Sequence, residues 1–165
     1  MVKLNRTTEY GLMALSYIRG KEAGALTSAR EIAQYFDLPF EILAKTLQRL
    51  KEQGLIASTY GTRGGYVLSK DLKTVNLLEF LMFMEGPVGL VTCMGNDGHK
   101  GDDLSHSCAY KSGCNIRPVL STLNEKIYDF LSRISLDELT RIPLTKTAAR
   151  QGALPISINL SGGEP

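Results

Sequence analysis

Apolar residues recur along this chain at three-and-four spacing in several separate blocks. Tyr10, Met13, Ala14, Tyr17 and Ile18 mark an amphipathic helix over 7–22. Ser28-Ala29-Arg30-Glu31 has the form of a capping box, in which Ser28 accepts from the amide of Glu31 while Glu31 reaches back, and predicts a short helix over 28–36. Asp37-Leu38-Pro39 interrupts the pattern, and Pro39 suits the first position of a new helix that runs to Gln53 and is closed by Gly54. Leu43, Leu47 and Leu50 form its apolar seam, with Glu41, Lys45, Gln48, Arg49 and Glu52 pointing elsewhere.

Two β-prone runs follow, Leu55–Tyr60 and Tyr66–Leu68, separated by Gly61-Thr62-Arg63-Gly64-Gly65, which predicts a hairpin. Asn76-Leu77-Leu78-Glu79 is a second capping box, opening a very apolar helix that stops at Gly86-Pro87. Residues 93–115 lack an apolar period and read as a loop. Ile116, Val119, Leu120, Leu123, Ile127, Leu131 and Ile134 then predict a long packing helix of the kind that joins two subunits. Beyond Arg141 the Pro-, Thr-, Ser- and Gly-rich sequence predicts a loose tail.

The fold class is therefore mainly α with a small β-hairpin: a winged helix-turn-helix domain plus a long dimerisation helix. The expected organisation is a winged-helix domain over 1–85, a cysteine-containing loop over 86–117, a dimerisation helix over 118–141 and a flexible tail over 142–165.

Composition narrows the function. The chain has 165 residues, 43% hydrophobic and 22% charged, the profile of a globular protein. No apolar run reaches the length of a membrane span, and Met1–Arg6 leads into no signal-peptide core, so a cytoplasmic location without a membrane partner is expected. Residues 1–70 hold ten Lys/Arg against six Asp/Glu, whereas residues 71–165 hold nine against eleven, which suits a polyanion partner for the first half. No nucleophile–base arrangement, P-loop or dinucleotide fingerprint is present, and no enzymatic activity is expected.

On the helix 39–53 the outer residues Glu41, Ala44, Lys45 and Gln48 are placed to meet base edges in a major groove. Glu41 can accept from a cytosine amino group, Lys45 can donate to guanine and Gln48 can pair with adenine. Arg49 and Lys51 are phosphate candidates, and Arg63 in the Gly-rich turn can enter a narrow groove. Lys3, Tyr60 and Thr62 complete the set of candidate DNA contacts.

The three cysteines, Cys93, Cys108 and Cys114, are confined to 22 residues and lie among polar neighbours. An odd number of cysteines does not make a disulfide framework, and soft thiolates suit iron–sulfur clusters or zinc. Zinc sites usually contain close cysteine pairs, absent here. Readings left open are a metal-free thiol switch pairing Cys108 with Cys114, and a zinc-stabilised interaction module.

Thr8–Leu12, Arg30–Ala33, Leu43–Leu50, Gly54–Ser58 and above all Gly61-Thr62-Arg63-Gly64-Gly65-Tyr66-Val67-Leu68 resemble the IscR/NsrR family of winged-helix regulators over about residues 2–134. The resemblance implies a homodimer on palindromic double-stranded DNA, with the helix at 116–134 crossing between subunits. It implies ligand roles for Cys93, Cys108 and Cys114 in an iron–sulfur cluster. The five-residue gap between Cys108 and Cys114 matches the family, and the fourteen residues between Cys93 and Cys108 exceed the usual gap. In one branch a His three residues after the last Cys is the fourth ligand, and Arg117 stands there. In another a carboxylate near the N-terminus of the other subunit serves, and Glu9 occupies that position. Glu9 is the expected fourth ligand, with His99 and His106 as alternatives, and a four-iron cluster is favoured over a two-iron one. Tyr60 stands where the family often has Arg, and Ala44 where one member reads DNA with Glu. The implied function is a regulator that senses redox state, nitric oxide or iron status.

Overall fold

The computed structural model describes residues 4–61, 64–86 and 113–142. Helix α1 spans Arg6–Arg19, α2 Ala29–Phe36 and α3 Phe40–Glu52; strands β1 (Ile56–Thr59) and β2 (Gly65–Leu68) follow. A 3-10 turn at Leu72–Thr74 leads to α4 (Leu77–Glu85), and α5 (Arg117–Ser132) and α6 (Leu136–Thr140) complete the described elements. The architecture is the winged helix-turn-helix that the periodicity indicates.

The caps explain where helices begin. Asn5, Ser28 and Asn76 accept from the amides of Thr8, Glu31 and Glu79, satisfying donors that a helix leaves free at its start. The return arm of the first capping box is not used: Glu31 turns instead to the Tyr17 hydroxyl, 2.9 Å away, and the Lys21 ammonium, 2.7 Å away. α1 stops at Arg19, three residues short of the expected end, with Gly20 as its C-cap.

Leu15, Ile32, Leu43, Leu47, Leu50, Ile56 and Phe80 are essentially inaccessible and fuse α1–α4 and the hairpin into one core. Burial of such side chains is worth about 1.5–3 kcal/mol each. At the crossing of α1, α3 and α4, a Cβ on Gly11 would stand 3.2 Å from Phe80 and 3.3 Å from Met84, so the lack of a side chain sets the approach of the helices.

β1 and β2 pair antiparallel, Ile56 with Leu68 through Thr59 with Gly65. Thr27 adds a short bridge to the outer edge of β2, exchanging bonds of 3.0 and 2.8 Å with Tyr66. A Cβ at Gly65 would lie 2.9 Å from the Thr27 carbonyl oxygen, and one at Gly64 would collide with the Thr59 carbonyl. The wing glycines thus permit close backbone approach.

The expected single helix over 118–141 is two helices. α5 ends at Ser132, and Ser135 caps α6 by accepting from Glu138, a Ser-x-x-Glu signal that the long apolar period masked. Leu77 donates to the Ile134 carbonyl and Leu136 to the Val75 carbonyl, tying the α5–α6 junction to the start of α4. α6 then packs on α1, burying Leu136, so it belongs with the core of the winged domain. α5 has no fully buried residue. Its Leu131 packs against the core, while Val119, Leu123 and Phe130 are exposed.

Candidate nucleic-acid interface

α3 and the hairpin enclose a groove of about 550 Å³. Glu41, Ala44, Lys45, Gln48 and Lys51 line it from the helix; Ser58, Thr59, Tyr60, Gly61, Gly64, Gly65 and Tyr66 line it from the wing; Ser28 and Ala29 close it at the start of α2. The helical repeat causes the first set. Leu43, Thr46, Leu47 and Leu50 are drawn into the core, which turns Glu41, Lys45 and Gln48 outward.

Lys51 and Tyr60 join the two walls. The ammonium donates to the phenol oxygen at 3.3 Å and sits 5.3 Å from the ring centre. The donated bond and the charge of Lys51 hold the Tyr60 phenol below its ordinary pKa. Tyr60 is 86% exposed, so its ring is available at the groove's mouth. The groove thus combines donors, acceptors and two ammonium groups, the chemistry that meets base edges and phosphates.

Of the candidates named from sequence, Glu41, Lys45, Gln48, Lys51 and Tyr60 are brought together here. Arg49 points elsewhere: it donates to the Phe83 carbonyl on α4 at 2.9 Å and its guanidinium lies 5.3 Å from the Phe83 ring centre. Lys3, Thr62 and Arg63 lie outside the described residues. Ser28, Ala29, Ser58, Thr59 and Tyr66 also line the groove and are not among the DNA contacts expected from sequence; the cap position of Ser28, at a helix start beside the turn, is the signal that could have found it.

Of the expected metal ligands, Cys93 and Cys108, with the alternatives His99 and His106, lie outside the described residues. Cys114 is half-buried, three residues before α5 begins. Glu9 is in the first turn of α1, paired at 3.2 Å with Arg6 on an exposed face. Such a pair contributes little and leaves the carboxylate able to change partner. Among the described residues, which hold one of the three cysteines, no group of three metal-ligating side chains is assembled.

Residues 4–142 match the Rrf2 family model, described as an iron-dependent transcriptional regulator. The chain belongs to the Rrf2 family. Rrf2 proteins are transcriptional regulators rather than enzymes, in agreement with the absence of catalytic motifs. Curated relatives include the HTH-type transcriptional regulator IscR of Photorhabdus laumondii, 29% identical over 109 residues, with 66% of this chain and 61% of the relative covered. IscR of Escherichia coli is 27% identical over 139 residues, covering 84% and 80%. The chain thus spans about three-fifths of the length of the first of these Rrf2 relatives. Among solved structures, CymR, the global cysteine regulator of B. subtilis, superposes with a TM-score of 0.63 at 22% identity, over 87% of this chain and all of that one. IscR of T. potens gives 0.58 at 18% identity, covering 85% and 87%. At these identities the two structures establish the shared Rrf2 fold.

Proposed function

We propose that this chain is a homodimeric, DNA-binding Rrf2 regulator that reads a palindromic operator with α3 and the wing, and that its DNA affinity responds to the state of Cys93, Cys108 and Cys114 as iron–sulfur ligands. The observation that carries the DNA-binding half is the groove, which aligns Glu41, Lys45 and Gln48 on one face and opens towards Tyr60. The exposed Val119, Leu123 and Phe130 of α5 support the dimer, since a stripe of that kind needs a cover.

The donor set fits an iron–sulfur cluster: three thiols in one polar segment, with Glu9 as a fourth, labile donor. Such a cluster supplies redox- and nitric-oxide-sensitive iron, and a four-iron form suits three thiolates and one carboxylate. Cys114, three residues before α5, and Glu9, in the first turn of α1, would hold such a cluster from the starts of two helices. Ligation that shifted these helices in a dimer would be coupled to DNA binding, and the coupling would be reciprocal.

A second reading is a metal-free thiol switch pairing Cys108 with Cys114, which lie close in one polar segment. One experiment separates them. Protein purified without oxygen is analysed for visible absorbance, iron and sulfide, and its affinity for a duplex selected from a random library is measured. The cluster reading expects coloured protein, loss of iron in Cys93→Ser, Cys108→Ser and Cys114→Ser, and a changed affinity on cluster removal. Colourless, iron-free protein after reconstitution overturns it. If that protein's affinity still changes on oxidation and Cys108→Ser abolishes the change, the thiol switch holds. If no duplex is selected, the DNA-binding reading fails.

A further inference from the structure

Arg49 is a cation of the recognition helix that does not line the groove. Lys45 and Lys51, its neighbours on α3, are exposed there, whereas Arg49 is half-buried and directed at α4. Its Nη2 donates to the Phe83 carbonyl at 2.9 Å, and the guanidinium lies over the Phe83 ring at 5.3 Å. Phe83 is in the last turn of α4, where carbonyls have no partner within the helix and the helix dipole favours a cation. A planar guanidinium satisfies the carbonyl and covers the ring at once, which an ammonium cannot do in the same geometry.

The same turn is held from the other side. The Glu85 carboxylate accepts from the Asn5 amide at 2.8 Å, the Asn5 side-chain nitrogen at 2.7 Å and the Thr8 hydroxyl at 2.5 Å. The end of α4 is therefore clamped between α1 and α3, and Arg49 is the polar link to the reading helix.

We infer that Arg49 is a positioning residue, which sets α3 against the end of α4, and that it is not a phosphate contact. The inference rests on the DNA-binding reading only for its effect on affinity. A phosphate contact and an anchor respond differently to substitution. Removing a phosphate contact lowers the slope of log affinity against log salt by about one, and lysine largely replaces it. Removing an anchor tilts the helix, weakens specific binding and leaves the slope unchanged.

The test uses the full chain, with Arg49→Met, Arg49→Lys and, as a phosphate-type control, Lys51→Ala. Without DNA, amide hydrogen exchange over residues 46–52 and 80–86 rises together in both Arg49 variants. With the library-selected duplex, both variants bind roughly tenfold more weakly at the wild-type salt slope, as expected for about one misplaced specific contact. Unchanged exchange in both segments overturns the inference, as does a salt slope reduced by about one in Arg49→Met with affinity restored in Arg49→Lys. Failure of the wild-type chain to bind any duplex counts against the DNA-binding reading alone, because hydrogen exchange still decides whether Arg49 anchors α3.

Discussion

Arg19 and Asp137, 118 residues apart, are joined through one carboxylate oxygen by bonds of 3.0 and 2.8 Å. The other oxygen takes Arg141 at 2.8 and 2.7 Å, and Ser16 donates to the Thr140 carbonyl beside them. This cluster fastens α6 to α1, and through α6 it fixes the root of α5 on the winged domain. Burial pushes the Asp137 carboxyl up, but the bonds and charges of Arg141 and Arg19 outweigh it and hold the pKa below the ordinary value.

A carboxyl depressed in the folded state stabilises above its unfolded pKa, and the contribution disappears as pH falls through the folded value. The melting temperature should therefore fall on acidification below the ordinary aspartate range. Asp137→Asn should melt lower at neutral pH and show a flatter acid dependence. An acid profile identical to wild type in the variant would contradict this account.

Two tyrosines should titrate in opposite directions. Burial, reinforced by the adjacent Glu31, raises Tyr17, whose ring packs tilted against Tyr35 and edge-on against Phe36 with centroids 4.8 and 5.8 Å away. Tyr60 is lowered by Lys51. Ultraviolet difference titration should find an early-ionising phenol that moves back up in Lys51→Ala and vanishes in Tyr60→Phe. Glu31→Gln should move the late one down.

Gly65→Ala should destabilise the wing by about 1–3 kcal/mol, the usual range for overpacking, because its Cβ meets the Thr27 backbone rather than a side chain that can turn aside. Chemical denaturation measures the loss, and operator affinity should fall with it. A variant as stable as wild type would show that the Thr27 bridge yields easily.

Leu123→Asp combined with Phe130→Asp should produce monomers. Both side chains are exposed on α5, so the single-chain fold should survive with its melting point little changed. Sedimentation equilibrium reports the mass, and a persisting dimer would assign the interface to another surface.

Gln48→Ala should cost about 1–3 kcal/mol at one base-pair position and relax preference there, whereas Lys45→Ala should lower the salt slope by about one if Lys45 meets a phosphate and change base preference if it meets guanine. Binding to single-base variants of the selected duplex, repeated across salt concentrations, distinguishes these outcomes.

Local signals carried much of the fold. Asn76 with Glu79 and Ser28 with Glu31 start helices through bonds between residues three apart, and Leu43, Leu47 and Leu50 face inward because the helical repeat puts them on one stripe. Those interactions are near in sequence, so α1–α4, the hairpin and the outward set Glu41, Lys45 and Gln48 could be read from the pattern of residues alone. It also confined the three thiols to one segment. Tertiary structure alone decided what Arg49, Glu31 and Asp137 do, since each is a charged side chain whose partner is chosen by distant elements folding against it: Phe83 on α4, Tyr17 on α1 and Arg19 on α1. The break between α5 and α6 draws on both: the Ser135 cap on Glu138 is a local signal, and long-range bonds fix its place. The apolar period runs on through Ile134 and hides that cap, while the backbone there bonds to Leu77 and Val75 across the fold, contacts that no local pattern records.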